Sequence, residues 1–230
     1  MKILSLFLTC TLSMFAETYI SSSVISNSII TGDSTREKGS GIGATKNITL
    51  SSPFNKINID IPANLTVDKK AETAITLTTD DNLLDAIIFN VKSNTLFIQA
   101  KKGGFHSRSG INIHINNPRL SALDVDGASD IHIKGFHEKN FTLTVDGASD
   151  ISFSLGKIEN FLLKADGSYD INLIQLDIQK AKVRAEGAGN INIKVTDYLD
   201  VKLEDTVEMH YSGNPKIKKQ IKDIAELTPI

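Results

Sequence analysis

LDVDGASDIHI at 123–133, LTVDGASDISF at 143–153, LKADGSYDINL at 163–173 and VRAEGAGNINI at 183–193 repeat one phrase four times. Gly127, Gly147, Gly167 and Gly187 fall twenty residues apart without slippage. A fixed period of that size marks a solenoid, in which each repeat is one coil stacked on the last. Within a copy the apolar residues alternate: Phe141, Leu143, Val145, Ile151 and Phe153 are all odd-numbered. Period two is the strand signature, since successive side chains point to opposite faces. The reading is an all-β chain: strand, tight corner at the glycine, strand, a second turn near Gly135 or Gly156, and a short third strand. Coils of about twenty residues suit a parallel β-helix with rungs ~4.8 Å apart. The odd positions at the corner are read as facing inward with room only for small groups, so Tyr169 is expected to swing out.

The alternation reaches beyond the four clean copies. Gly110-Ile111-Asn112-Ile113-His114-Ile115 matches the second half of a copy, shifted by twenty residues from Asp130-Ile131. Residues 57–61, 65–67, 75–77 and 96–98 alternate without the glycine. So do 201–203 and 207–211, until Asn214-Pro215 breaks the strand. Residues 216–226 read as one short capping helix, closing the core at an atypical end coil.

The chain begins Met1-Lys2, then an apolar run over 3–15, then Ala16. That is the plan of a secretory signal peptide at 1–16, too short to span a bilayer. Lipidation at Cys10, the single cysteine, is the alternative; cleavage at Ala16 leaves a mature chain without thiols. Residues 17–52 are rich in Ser, Thr, Asn and Gly and read as a linker with one edge strand near 47–50. A domain at 53–215 and a charged cap or tail at 216–230 complete the plan. At 230 residues, with a net charge of −2 and only four arginines, the chain lacks the basic surface that nucleic acid requires.

Two acidic columns follow from the period. Asp126, Asp146, Asp166 and Glu186 occupy one position of successive coils; Asp130, Asp150, Asp170 and Asn190 occupy another. All are even-numbered and face outward. Stacked carboxylates ~4.8 Å apart repel by ~1 kcal/mol in water. Calcium bridging neighbouring rungs would relieve this, since it takes six to eight oxygens. The competing reading, which we prefer, is turn chemistry: Asp before Gly bonds the following backbone amides. The nonapeptide of calcium-binding β-rolls is absent. His106, His114, His132, His137 and His210 show no paired ligand spacing for zinc. Ser129 and Ser149 have no histidine at matching spacing. Asn140-Phe141-Thr142 is an N-x-T sequon at the start of a strand and reads as coincidence.

The phrases GASDI, GSYDI and GAGNI in register, Ser52-Pro53-Phe54-Asn55-Lys56-Ile57 before the first strand, Asp81-Asn82-Leu83-Leu84 after the early ones, and Ser212-Gly213-Asn214-Pro215 at the end carry a family resemblance. From about 54 to 215 the chain resembles the putative auto-transporter adhesin, head GIN domain family of bacterial envelope proteins. The resemblance implies a right-handed parallel β-helix-like fold behind a signal peptide. It brings no catalytic residues and no cofactor.

The functional expectation is an exported, non-catalytic module of the periplasm, outer-membrane surface or exterior. Its partners are an envelope protein or a cell-surface glycan. The alternatives are a purely structural spacer and a polysaccharide-acting enzyme. The enzyme needs two carboxyls in different environments, whereas these columns repeat one environment four times.

Overall fold

The computed structural model describes residues 36–230. The leader at 1–16, Cys10 with it, and the first part of the 17–52 segment lie outside the described residues. The strands in chain order are β1 (Glu37–Lys38), β2 (Gly43–Ile48), β3 (Lys56–Asp60), β4 (Ala63–Lys69), β5 (Ala74–Asp80), β6 (Ile87–Lys92), β7 (Thr95–Ala100), β8 (Phe105–His106) and β9 (Asn112–Asn117). Then follow β10 (Ala122–Lys134), β11 (His137–Ala185), β12 (Ala188–Leu203), β13 (Glu208–Ser212), β14 (Lys216–Ile221) and β15 (Glu226–Pro229). The one helical element among the described residues is a 3-10 turn at Asp81–Leu83.

The twenty-residue period becomes hydrogen-bonded register. β10 pairs parallel with β11, from Ala122 opposite Thr142 to Lys134 opposite Ser154. The odd positions form the core: Leu123, Val125, Ile131, Ile133, Leu143, Val145, Ile151, Leu163, Ile171 and Val183 are all buried. Each such side chain contributes ~1.5–3 kcal/mol on burial. Phe141, Phe153 and Phe161 pack together inside, Phe141 edge-on to Phe153 at 5.3 Å and stacked on Phe161 at 6.0 Å. Within the four copies the even positions face the surface, as the alternation requires; past the second turn the phase reverses, with Phe136, Ile158, Leu176 and Ile178 buried and Leu155 exposed.

The glycines answer to backbone rather than side-chain crowding. Gly127, Gly147, Gly167 and Gly187 all have positive φ, between 92° and 119°. A Cβ on Gly167 would come within 2.4 Å of the Gly147 carbonyl oxygen, and one on Gly187 within 2.3 Å of that of Gly167. The coils approach one another at this corner more closely than any side chain allows.

Tyr169 corrects the expectation that it swings out. It is 4% exposed, and its hydroxyl donates to the Glu186 carbonyl at 3.0 Å. Room comes from the next rung: a Cβ on Gly189 would sit 2.1 Å from the Tyr169 ring. The large residue of one coil fills the space left by the small residue of the next. Burial, and then the nearby carboxylates Asp166, Asp205 and Glu186, hold the phenol well above its usual pKa.

The spatial order of the strands is not the chain order. Gly110 to Ile115 do not lie directly below Asp130-Ile131. β9 pairs with β4, Asn112 opposite Asn64, and β4 pairs with β10, Asn64 opposite Asp130. On the neighbouring side β3 likewise lies between β7 and β10. The chain lays down β3 and β4, adds β7 and β9 beneath them, and returns above to start β10. Ala122 to Lys134 then lie opposite Thr142 to Ser154 at the twenty-residue offset that the period predicts.

The upper end differs too. After Leu173 opposite Ile193 the register passes to Lys180 opposite Tyr198, an offset of eighteen rather than twenty. The corner nevertheless continues: Asp205 (φ 60°) and Asp223 (φ 58°) take the left-handed conformation where glycine stood. Aspartate tolerates this better than most residues. The Asp205 carboxylate accepts from the Gly187 amide at 3.1 Å, and that of Asp223 from the Asp205 amide at 3.2 Å. Residues 216–226 are not a capping helix. β14 pairs parallel with β12 and β15 with β13, extending the stack by a coil. A helix this short is marginal alone, whereas the open edge of β12 offers ready partners.

At the lower end β2 runs antiparallel to β5, and β6 antiparallel to β7. β2 begins at Gly43, upstream of the edge strand expected near 47–50. Gly39 to Gly43 are not a free spacer. The carboxylate of buried Asp80 accepts from the Gly41, Arg108 and Ser109 amides and from the Ser107 and Ser109 hydroxyls. These donors hold Asp80 well below the usual carboxylate range, with Ser107 the largest contributor.

Candidate functional site

Stacking turns each outward position into a column. Asp126 lies opposite Asp146 and Asp130 opposite Asp150, and Asp170 opposite Asn190. All seven carboxylates of the two predicted columns are exposed. The columns stand on different flanks of the corner and have different neighbours.

The first column is not purely acidic. A groove of about 300 Å³ is lined by Asp146, Asp166, Glu186 and Glu204 beside Lys164, Arg184 and Lys202. Arg184 lies opposite Lys202 in register, so a basic column runs alongside the acidic one. The Arg184 guanidinium donates to the Asp200 carboxylate at 3.0 Å. Glu204 accepts from Lys202 and, at 3.0 Å, from Lys222; these ammonium groups lower its pKa, and its carboxylate in turn raises that of Lys222. At the Glu204 rung the two ammonium groups of Lys202 and Lys222 offset the carboxylate's charge. The sequence reading missed the basic column because Lys164, Arg184 and Lys202 do not share one spacing: the interval passes from twenty to eighteen. Lys194 pairs with Asp177 at 2.8 Å.

The second column is longer than predicted. Glu208 lies opposite Asn190, and Glu226 opposite Glu208. Below Asp130 come Asn64 and Asn112, with the Asn64 amide donating to the Asn112 side-chain oxygen at 3.0 Å. Beside it runs a column of polar side chains including Thr66, His132 and Ser152. His132 is held by the Ser152 hydroxyl at 2.9 Å and the Ser154 hydroxyl at 3.2 Å. Two adjoining shallow grooves of about 580 and 570 Å³ follow this flank. The first is lined by Asp130, Asp150, Asp170, Asn190 and Glu208, with the small residues Ala148, Ser168 and Ala188 along the corner.

Among the described residues no three His, Cys, Asp or Glu side chains converge as a metal would need. His114 approaches Asp68 at 3.6 Å, and His132 lies two rungs from it across Thr66. No helix of the described residues is long and apolar enough to cross a membrane.

Residues 53–215 match the family described as "Putative auto-transporter adhesin, head GIN domain". The chain belongs to that family. No curated protein matches its sequence. Among solved structures, a putative adhesin of Bacteroides fragilis superposes with a TM-score of 0.71 at 19% identity, covering 84% of this chain and 99% of its own. A putative lipid binding protein of Parabacteroides distasonis gives a TM-score of 0.50 at 20% identity, covering 85% and 99%. At these identities the likeness concerns the fold.

Proposed function

We propose that this chain is an exported, non-catalytic, right-handed parallel β-solenoid that acts as an adhesion or envelope-interaction module. The observation that carries the reading is the second flank. Asn64, Asp130, Asp150, Asp170, Asn190 and Glu208 form an open, ordered row of hydrogen-bonding groups at the rung spacing. Such a row suits a partner that is itself repetitive, a cell-surface glycan or the edge of an envelope protein, because each rung offers the same contact. Many weak, aligned contacts give avidity without a deep pocket. Along this flank the exposed carboxylates repeat one environment rung after rung, whereas glycoside hydrolysis needs two that differ. The leader at 1–16 supplies export to the periplasm, outer-membrane surface or exterior, and the family's description as adhesins agrees with that destination.

The test is a binding screen of the protein against cell-wall glycans and envelope proteins, repeated with Asp130, Asp150 and Asp170 all changed to Lys. The proposal expects a ligand retained by the wild type and lost by the triple variant at unchanged melting temperature. A ligand bound equally by both, or a glycan shortened on incubation, would overturn it.

A further inference from the structure

In the sequence Asn140-Phe141-Thr142 reads as coincidence because Phe141 begins a strand. In the structure Phe141 is held in the core and Asn140 stands outside it. Phe136 and Phe141 are buried, while Lys139 and Asn140 between them are both exposed. Two successive exposed residues mark a corner, because exposure alternates along a strand. One coil on, Glu159 and Asn160 repeat the corner between buried Ile158 and Phe161. The two asparagines are bonded to each other. Asn160 Nδ2 donates to the Lys139 carbonyl at 3.3 Å and to Asn140 Oδ1 at 3.1 Å. A main-chain carbonyl can only accept, so it fixes which end of the Asn160 amide is nitrogen. Asn140 must therefore present its oxygen to Asn160. Its Nδ2 is left over, and among the described residues it donates to none.

From this geometry we infer that Asn140 is an acceptor for N-linked glycosylation by a bacterial oligosaccharyltransferase. The reaction takes an exposed asparagine with a hydroxyl two residues on, and bacterial transferases also read a carboxylate two residues before it. Glu138, Asn140 and Thr142 supply the three groups. The donor is an oligosaccharide joined through pyrophosphate to a lipid. Asn140 Nδ2 bonds to the anomeric carbon of the first sugar as the bond from that carbon to the pyrophosphate breaks. The amide gives up one proton and the lipid pyrophosphate leaves. The linkage disturbs no bond of the fold, since Asn140 Oδ1 still accepts from Asn160. Other asparagines lack one requirement or another. Asn47-Ile48-Thr49 and Asn64-Leu65-Thr66 have Thr45 and Pro62 in place of the carboxylate, and Asn64 spends its Nδ2 on Asn112 at 3.0 Å. Asn160 shares the corner but has Leu162 where the hydroxyl is needed. The inference rests on the export proposed above and not on the partner of the polar flank, whose grooves Asn140 does not line.

The experiment expresses the full chain behind its own leader and, separately, with residues 1–16 replaced by a secretory leader of established function. The host bacteria make such a transferase and a lipid-linked oligosaccharide of known mass. Mass spectrometry of the intact protein and of its peptides reads both the leader and the glycan. The expected result is one added oligosaccharide on the peptide carrying Asn140, and none on Asn47, Asn64 or Asn160. Thr142→Ser keeps the glycan, Asn140→Gln and Thr142→Ala abolish it, and Glu138→Gln loses most of it. A chain exported behind the replacement leader yet unmodified, in cells that modify a control acceptor, would overturn the inference. So would a glycan that survives Asn140→Gln. A chain that retains its own leader but is modified at Asn140 behind the replacement would sink the export reading and support the acceptor.

Discussion

Replacing Gly127 and Gly167 separately by Ala distinguishes the two demands made on the corner. Their backbone angles are nearly equal, φ 106° and 102°. Their surroundings differ: a Cβ on Gly127 meets nothing within 4 Å, while one on Gly167 meets the Gly147 carbonyl oxygen at 2.4 Å and its nitrogen at 2.9 Å. Both variants carry the conformational cost of a side chain at positive φ, about 1–3 kcal/mol. Only Gly167→Ala carries the cost of forcing two coils apart, about 1–3 kcal/mol more for an overpacked contact. For a domain of this size each kcal/mol lowers the melting temperature by roughly 2–4 °C. Gly167→Ala should therefore melt roughly 2–12 °C below Gly127→Ala, which itself melts below wild type. Thermal unfolding followed by circular dichroism at 218 nm or so, where strand signal dominates, is the assay, with urea unfolding to check that the slope is unchanged. Equal losses in the two variants would refute the close approach of coils as the reason for glycine at 167.

Tyr169→Phe should cost about 1 kcal/mol, the worth of one buried hydrogen bond, while Gly189→Ala should cost several-fold more by displacing the ring; combining Tyr169→Ser with Gly189→Ser, which restores the Ser129–Ser149 pattern, should recover much of that loss in chemical denaturation. Asp80, with its pKa depressed by its donors, contributes stability that is fully present above its ordinary value near 3.8 and is lost as the pH falls below it; Asp80→Asn should lower the melting temperature at pH 7 and flatten the acid limb of the stability profile, and an unchanged limb would remove Asp80 as its source. Millimolar calcium should leave the melting temperature unchanged; a rise abolished by changing Asp126, Asp146 and Asp166 to Asn would instead establish a cation-bridged column, worth about 2.7 kcal/mol at a hundredfold excess over Kd.

The four copies from Leu123 to Ile193 declared their own structure, because in a stack of this kind each residue's environment is set by its position in the period. Alternation assigned Val145 and Ile151 to the core and Asp146 and Asp150 to the surface, and the same spacing fixed the partner of each. The acidic columns were legible for the same reason. Where the period changes, that guide is lost. Two fewer residues from Ile193 to Tyr198 than from Leu173 to Lys180 moved Lys202, Glu204, Asp205 and Glu208 into columns that a twenty-residue ruler does not reach. Aspartate at positive φ then disguised two further corners. Tyr169 could be placed only once Gly189 was known to leave a gap above it, since side-chain packing depends on the neighbouring coil and not on the residue's own repeat. The order of the early coils was decided by tertiary structure alone. Residues 110–115 bear the same pattern whether they lie beneath Asp130 or beneath Asn64, because hydrogen-bonding groups and alternating apolar side chains are nearly alike on every rung. What chose between them was where the chain could lay a rung so that both its edges found partners, and that depends on all the other strands at once.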